Sequence, residues 1–237
     1  MELICQLILG AIKHEFRKKH LISIDEKTGI QALRRIHEGQ PMKPGECRRI
    51  EYEYERNGTV CLMAAVDVAK GSITHYRLNE TRDERDFLVF IQETANKYPK
   101  GDEIIFMADQ LNTHLSASLV EWIAAQIGFE GNLGTKNYKG ILKSMETRKE
   151  FLECTTHRIR FVYTPKHCSW RPPLRLNPIE NWFAKLQRHV INHGNFASIE
   201  DVGNKIKNYI GFYNECLVKP LKWKFKGFIK NEKFNYL

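Results

Sequence analysis

Three acidic residues in this 237-residue chain stand where strands end or a helix begins. Asp25 follows the apolar run His20–Ile24, Asp109 follows the buried-type run Glu103–Ala108, and Glu180 lies in the first turn of a helix signalled by Asn177-Pro178. Strand ends of an α/β sheet meet at one edge, and a later helix can bring a third carboxylate there. Clustered carboxylates repel strongly unless a hard cation neutralises them, and oxygen donors with open water positions suit Mg2+ or Mn2+. Two such ions about 3.5–4 Å apart would clamp the attacking and leaving oxygens of a phosphoryl displacement. Each residue also has a local reading without chemistry. Glu180 occupies a capping position, with proline at the first helical residue. Asp109 before Gln110-Leu111-Asn112 could shape a strand-to-helix turn, and Asp25-Glu26-Lys27-Thr28-Gly29 passes for a hairpin turn. Position alone leaves both readings open. Asp67, in the turn sequence Asp67–Gly71, is read as a turn former.

Other reactive groups point less far. The six cysteines are scattered with no C-x-x-C pair, so no disulfide framework is expected. Cys154, His157, His167 and Cys168 raise the idea of zinc, but structural zinc wants two clean ligand pairs, and adjacent residues seldom both reach one ion. His114 and His167 lie near the supposed site and are not read as ligands. Charge is more telling. The chain holds 37 Lys+Arg against 28 Asp+Glu, and residues 131–237 carry 20 basic and 8 acidic side chains, net +12. That asymmetry suggests a polyanionic partner, nucleic acid first, against the plainer reading of a solvated surface. Lys139, Lys143 and Arg148, with Lys136 and Lys149, lie on or before one helix, and Lys166, Arg171, Arg175 and Arg188 flank the glutamate segment. Together they would line a phosphate track. The tail Lys222-Trp223-Lys224-Phe225-Lys226 reads as an edge strand rather than a base-stacking platform.

The elements that must position these groups form one domain, 1–237, with a core over about 19–215 and a basic aromatic tail over 216–237. Ile50–Glu55 alternates apolar and charged residues, Asn57-Gly58 offers a hairpin turn, and Thr59–Val68 reads as a central strand. Ser72–Leu78 returns beside it. Thr81-x-x-Glu84 looks like a capping box for a helix through Phe87, Leu88, Ile91 and Ala95. Further helices are expected over Ser116–Ile127, Ile141–Phe151 and from Asn177, with a last one capped by Ser198-x-x-Asp201. A strand is expected at Ile159–Tyr163, with a Pro/Arg loop over 165–176. Antiparallel strands first and strand–helix units later make a mixed α/β sheet with helices on both faces. Hydrophobic residues at 42% and charged residues at 27% exclude disorder and collagen-like repeats. No apolar run reaches the roughly 20 residues that span a bilayer. The apolar start, Met1–Ile12, lacks a basic n-region and a cleavage site, so it is not read as a signal peptide, and a cytoplasmic location is expected.

Longer motifs carry a resemblance. Ile24-Asp25-Glu26-Lys27-Thr28-Gly29-Ile30-Gln31-Ala32-Leu33, then Pro41-Met42-Lys43-Pro44-Gly45, resembles the opening of the catalytic domain of bacterial insertion-sequence transposases of the family numbered 630. These are mariner relatives among the DDE superfamily endonucleases. Asn57-Gly58-Thr59-Val60, Asp109-Gln110-Leu111-Asn112-Thr113-His114, Tyr163-Thr164-Pro165-Lys166-His167-Cys168-Ser169-Trp170, Leu176-Asn177-Pro178-Ile179-Glu180-Asn181-Trp182-Phe183 and Lys219-Pro220-Leu221-Lys222-Trp223 follow in the same order. The resemblance implies a ribonuclease-H-like fold and a triad of Asp25, Asp109 and Glu180 holding two divalent ions, Mg2+ or Mn2+, for DNA strand cleavage and end joining. It implies element ends and target DNA as partners, with a homodimer on DNA and a nucleoid-associated location in a bacterium. The family's helix-turn-helix segments are not expected in the 24 residues before Asp25. Arg171-Pro172-Pro173-Leu174-Arg175 is an insertion relative to the family pattern, expected as an exposed loop. An inactive DNA-binding remnant and a general nuclease of the same fold are the alternatives.

Overall fold

The computed structural model describes residues 2–37, 39–47, 49, 53–165, 177–192 and 194–222. Five strands form one sheet in the order β3-β2-β1-β4-β5: β1 (Lys19–Arg35), β2 (Tyr54–Asp67), β3 (Ile73–Asn79), β4 (Glu103–Ala108) and β5 (Ile159–Tyr163). The first three form an antiparallel meander, while β4 and β5 add parallel to β1. The helices are α1 (Glu2–Ile12), α2 (Glu84–Ala95), α3 (Ala117–Gln126), α4 (Met145–Leu152), α5 (Pro178–Leu186) and α6 (Ile199–Phe212). Strand alternation gives the sheet two apolar faces. Ile22, Ile24, Met63, Phe106 and Phe161 pack under α2, α3 and α4. On the other face Val60, Leu62, Ala64 and Val66 pack under α5 and α6, and Leu21, Ile105, Met107 and Val162 under α1. The mixed sheet with helices on both faces is thus present.

The meander differs from its sequence reading. Asp25 does not end a strand: β1 runs on to Arg35 and pairs with β2 throughout. Neither Thr28-Gly29 nor Asn57-Gly58 turns the chain. Thr28 and Gly29 stand opposite Cys61, and Asn57 and Gly58 opposite Ala32, so both are bulges in one long bent ribbon. Gly29 (φ +69°) and Gly58 (φ +111°) hold positive φ, which a bulge and a tight turn both demand of glycine, hence the confusion. The true reversal comes at Lys43–Glu46, where Pro44 and Gly45 (φ +82°) form the corner and the Glu46 amide donates to the Lys43 carbonyl (2.9 Å). The expected strand at Ile50–Glu55 falls partly outside the described residues.

Two helix starts also moved, and one helix was not expected. Asp83 caps α2, accepting from the Asp86 amide (2.7 Å), while Thr81 instead donates to Asp86. Glu84 then accepts from the Ser118 amide and hydroxyl, tying α2 to α3. The basic helix begins at Met145, capped by Ser144, not at Ile141. No element was expected at the N-terminus, yet α1 buries Ile4, Leu7, Ile8 and Ala11 against the sheet. Ser116 caps α3 and Ser198 caps α6 as the sequence suggests.

Candidate active site

The parallel pairing of β1 with β4 sets two of the three carboxylates side by side. Ser23 pairs with Met107, so Asp25 of β1 and Asp109, the first residue past β4, each lie two residues beyond that pair, and the period of two puts Asp25 on the face of Ser23. That face carries α5, because Asp25 and Lys27 pair with Ala64 and Leu62 of the α5/α6 core. Helix α5 is pinned there by a hydroxyl from the sheet. Asn177 makes no side-chain cap; it accepts from the buried Ser23 hydroxyl and donates to the Ile24 carbonyl (2.9 Å). Ser23 Oγ in turn accepts from the Ile179 amide (2.9 Å), satisfying one of the open donors at the helix start. Glu180 is the next residue, so the two bonds that fix the helix also fix where its carboxylate emerges. Ser23 and Asn177 therefore position the start of α5.

Electrostatics records the proximity. Burial lifts the Asp25 carboxyl to about 7, opposed by a hydrogen bond from the Glu26 amide (2.8 Å), and the negative charges of Asp109 and Glu180 raise it further. A buried carboxylate crowded by two others is the donor chemistry a divalent cation relieves, so these residues suit such an ion. Asp109 is committed differently in this arrangement. Its Oδ1 lies 2.7 Å from His114 Nδ1 and accepts from the Leu111 amide (3.1 Å), and although burial opposes it, the histidine bond holds its pKa below the usual carboxylate value. Among the described residues no three His, Cys, Asp or Glu side chains are gathered closely enough to hold one ion as placed.

His114 is the residue that sequence reasoning passed over. It is fully buried against Phe87, ring centres 4.3 Å apart, with Nε2 facing Glu26 Oε1 at 3.6 Å. Burial disfavours its charge, but the bond to Asp109 and the nearby negative charge of Glu26 prevail and lift it to about 9. Its backbone carbonyl accepts from the Tyr163 hydroxyl (2.8 Å), so β5 locks the loop that carries Asp109. The spacing Asp109-x4-His114, one turn of tight helix after a strand, was the available signal. Glu26 points to the opposite face from Asp25, where it meets His114 and Arg82 (3.7 Å). Asp67 sits opposite Ile22 and accepts from the Ala69 and Lys70 amides, the turn role expected of it.

The basic residues separate. Arg148 is buried, donating to the carbonyls of Leu115 (2.8 Å) and Ser144 (3.0 Å), which corrects its reading as a phosphate contact: the cation neutralises carbonyl ends and clamps α4 to the His114 turn. Lys139 and Lys143 are exposed in the loop before α4, Lys136 pairs with Glu84, and Lys149 with Glu153. Arg188 lines an open groove with Lys27 and Glu180. Lys166, Arg171, Arg175, His167 and Cys168, the Arg171–Arg175 insertion and the aromatic tail from Trp223 lie outside the described residues.

Comparison with known proteins places this arrangement. In backbone shape the chain is similar to three solved structures of the Mos1 mariner transposase, each matched over 89% of this chain. They are the paired end complex with Mn (14% identity, TM-score 0.51, 53% of that chain covered), the strand transfer complex (12%, 0.51, 52%) and a pre-cleavage transpososome (12%, 0.52, 54%). The chain thus spans about half the length of those proteins, and at such identity the likeness is one of ribonuclease-H-like fold. No curated protein matches it. The family model for DDE superfamily endonucleases matches residues 20–203, more than three quarters of the chain and all three carboxylates, and the chain therefore belongs to the DDE superfamily endonucleases.

Proposed function

We propose that this chain is the catalytic domain of a metal-dependent DNA transposase, of the bacterial insertion-sequence kind that its motifs resemble. It would hydrolyse a phosphodiester at the element end and join the freed 3′-hydroxyl to target DNA. The observation that carries the reading is Asp25: its buried carboxylate feels the negative charges of Asp109, just past β4, and of Glu180, in α5. Asp25, Asp109 and Glu180 would hold two divalent ions, which when bound supply charge neutralisation and a more nucleophilic oxygen. The chain's own residues do the positioning. Ser23 and Asn177 set the start of α5 and hence Glu180, while His114 holds one oxygen of Asp109 until a cation competes for it. Lys139 and Lys143 are exposed cations available to phosphates. Support also comes from the solved relatives, described as paired end and strand transfer complexes, one of them with Mn.

The test is nicking of supercoiled plasmid in Mg2+ or Mn2+ by the parent chain, beside Asp25→Asn, Asp109→Asn and Glu180→Gln. Metal-dependent nicking by the parent, lost in all three variants, is the expected result. A folded parent that does not nick under either metal would leave the inactive DNA-binding remnant as the better account.

A further inference from the structure

Beside the carboxylates lies an open groove of about 440 Å³ that no role above explains. Its floor is one stripe of α5 and the turn after it: Glu180, Ala184, Gln187 and Arg188 recur at helical spacing. Asn192 closes the far end and Lys27 of β1 forms the wall. Lys27 follows Asp25 by two residues with no bulge between them, so both side chains leave the same face of β1. Lys27 is half-buried and Arg188 exposed, and among the described residues neither side chain has an ion-pair partner. Most other cations near the sheet are matched, as Lys19 with Glu103 and Arg77 with Glu93. A cation drawn partly out of water without a counter-ion is unfavourable, and an incoming anion relieves it.

We propose that this groove is a phosphodiester-binding subsite, in which Lys27 and Arg188 hold phosphates of the DNA strand that leads into the carboxylate site. The dimensions suit a short stretch of strand. The eight residue steps of helix from Glu180 to Arg188 span about 12 Å, which corresponds to about three to four nucleotides at the 3.4 Å rise of duplex DNA. Gln187 Nε2 donates to Asn192 Oδ1 (2.5 Å), which leaves the Asn192 amide nitrogen as a neutral donor at the far end. Glu180, the one acid of the lining, stands at the catalytic end, so a strand gripped here has its next phosphate delivered to Asp25, Asp109 and Glu180. The subsite rests on the transposase reading for its direction into the site, but its affinity for DNA is independent of catalysis.

That independence sets the experiment. Binding of a 30-base-pair duplex is measured by fluorescence anisotropy in EDTA, from 50 to 200 mM salt, for the parent, Lys27→Gln, Arg188→Gln and Lys27→Arg. Lys100→Gln serves as control, an exposed cation just before β4, at the end of that strand remote from Asp109. Each charge removed should lower the salt slope by about 0.9 and weaken binding at 50 mM salt by about 3- to 10-fold. Lys27→Arg should restore the slope, whereas a merely structural role for Lys27 would leave the slope at the parent value even if the protein were less stable. Parent-like slopes in both Lys27→Gln and Arg188→Gln, or an equal loss in Lys100→Gln, would overturn the subsite. Plasmid nicking by the parent separates the two readings. Slope changes without nicking sink the enzyme and leave the groove, while nicking without slope changes does the reverse.

Discussion

Replacing Asp25 with asparagine should stabilise the metal-free protein, and should do so more as pH rises. The carboxyl ionises at about 7 in the folded chain against 3.8 ordinarily, chiefly because burial disfavours its charge. Since the folded value is the higher, the folded state holds this proton more tightly than the unfolded state. Below pH 3.8 both states are protonated and nothing is lost; from there to pH 7 the unfolded chain ionises first, and stability falls with pH. About 3 pH units at about 1.4 kcal/mol each sets an upper bound of about 4 kcal/mol by pH 8. Asparagine is neutral in both states and its Oδ1 can still accept from the Glu26 amide at 2.8 Å. Urea denaturation in EDTA at pH 5 and pH 8 should therefore show Asp25→Asn gaining on the parent by about 2–3 kcal/mol between the two. Millimolar Mg2+ should then stabilise the parent and leave the variant unmoved, since only the parent keeps the full ligand set. A variant equal to or weaker than the parent at pH 8 would refute the idea that this carboxylate is held against its own desolvation.

Four further outcomes follow from the same contacts. His114, raised to about 9 from 6.5, contributes stability that is complete below pH 6.5 and is lost as pH climbs through 9, about 3 kcal/mol in all; denaturation of Asp25→Asn against Asp25→Asn/His114→Gln across that window should show it in the first protein only. Arg148→Met should cost about 2–4 kcal/mol in urea denaturation by leaving the Leu115 carbonyl unpaired, while the salt slope of DNA binding stays at the parent value. Ser23→Ala should cost about 1–2 kcal/mol and reduce nicking more than its stability loss alone predicts, because the start of α5 is released; equal nicking rates would show that Glu180 needs no such anchor. Gly58→Ala should lower the melting temperature, since its φ of +111° suits glycine and an added Cβ would meet Ile199 at 2.5 Å.

The sequence by itself determined the ingredients. Apolar runs at periods of two and 3.6 were enough to place β4, β5, α3 and α6 close to their observed bounds, because burial of one face writes those periods into local sequence. Asp25, Asp109 and Glu180 were likewise visible as acids in element-ending positions, and the ordered motifs joined them to one family. What tertiary structure decided was everything that depends on which strand lies beside which. Glycine needs positive φ in a bulge as in a turn, so only pairing with β2 reveals that Gly29 and Gly58 bend a ribbon without reversing it. Only the register of β1 on β4 sets Asp25 beside Asp109, and only the bond from Ser23 across 156 residues to the Ile179 amide delivers Glu180 to them. Arg148 and Lys27 exchanged their apparent roles for the same reason. A cation's partners are chosen in space, so the arginine in a basic stretch became a buried clamp, and a lysine from a seeming turn became the free charge beside the site.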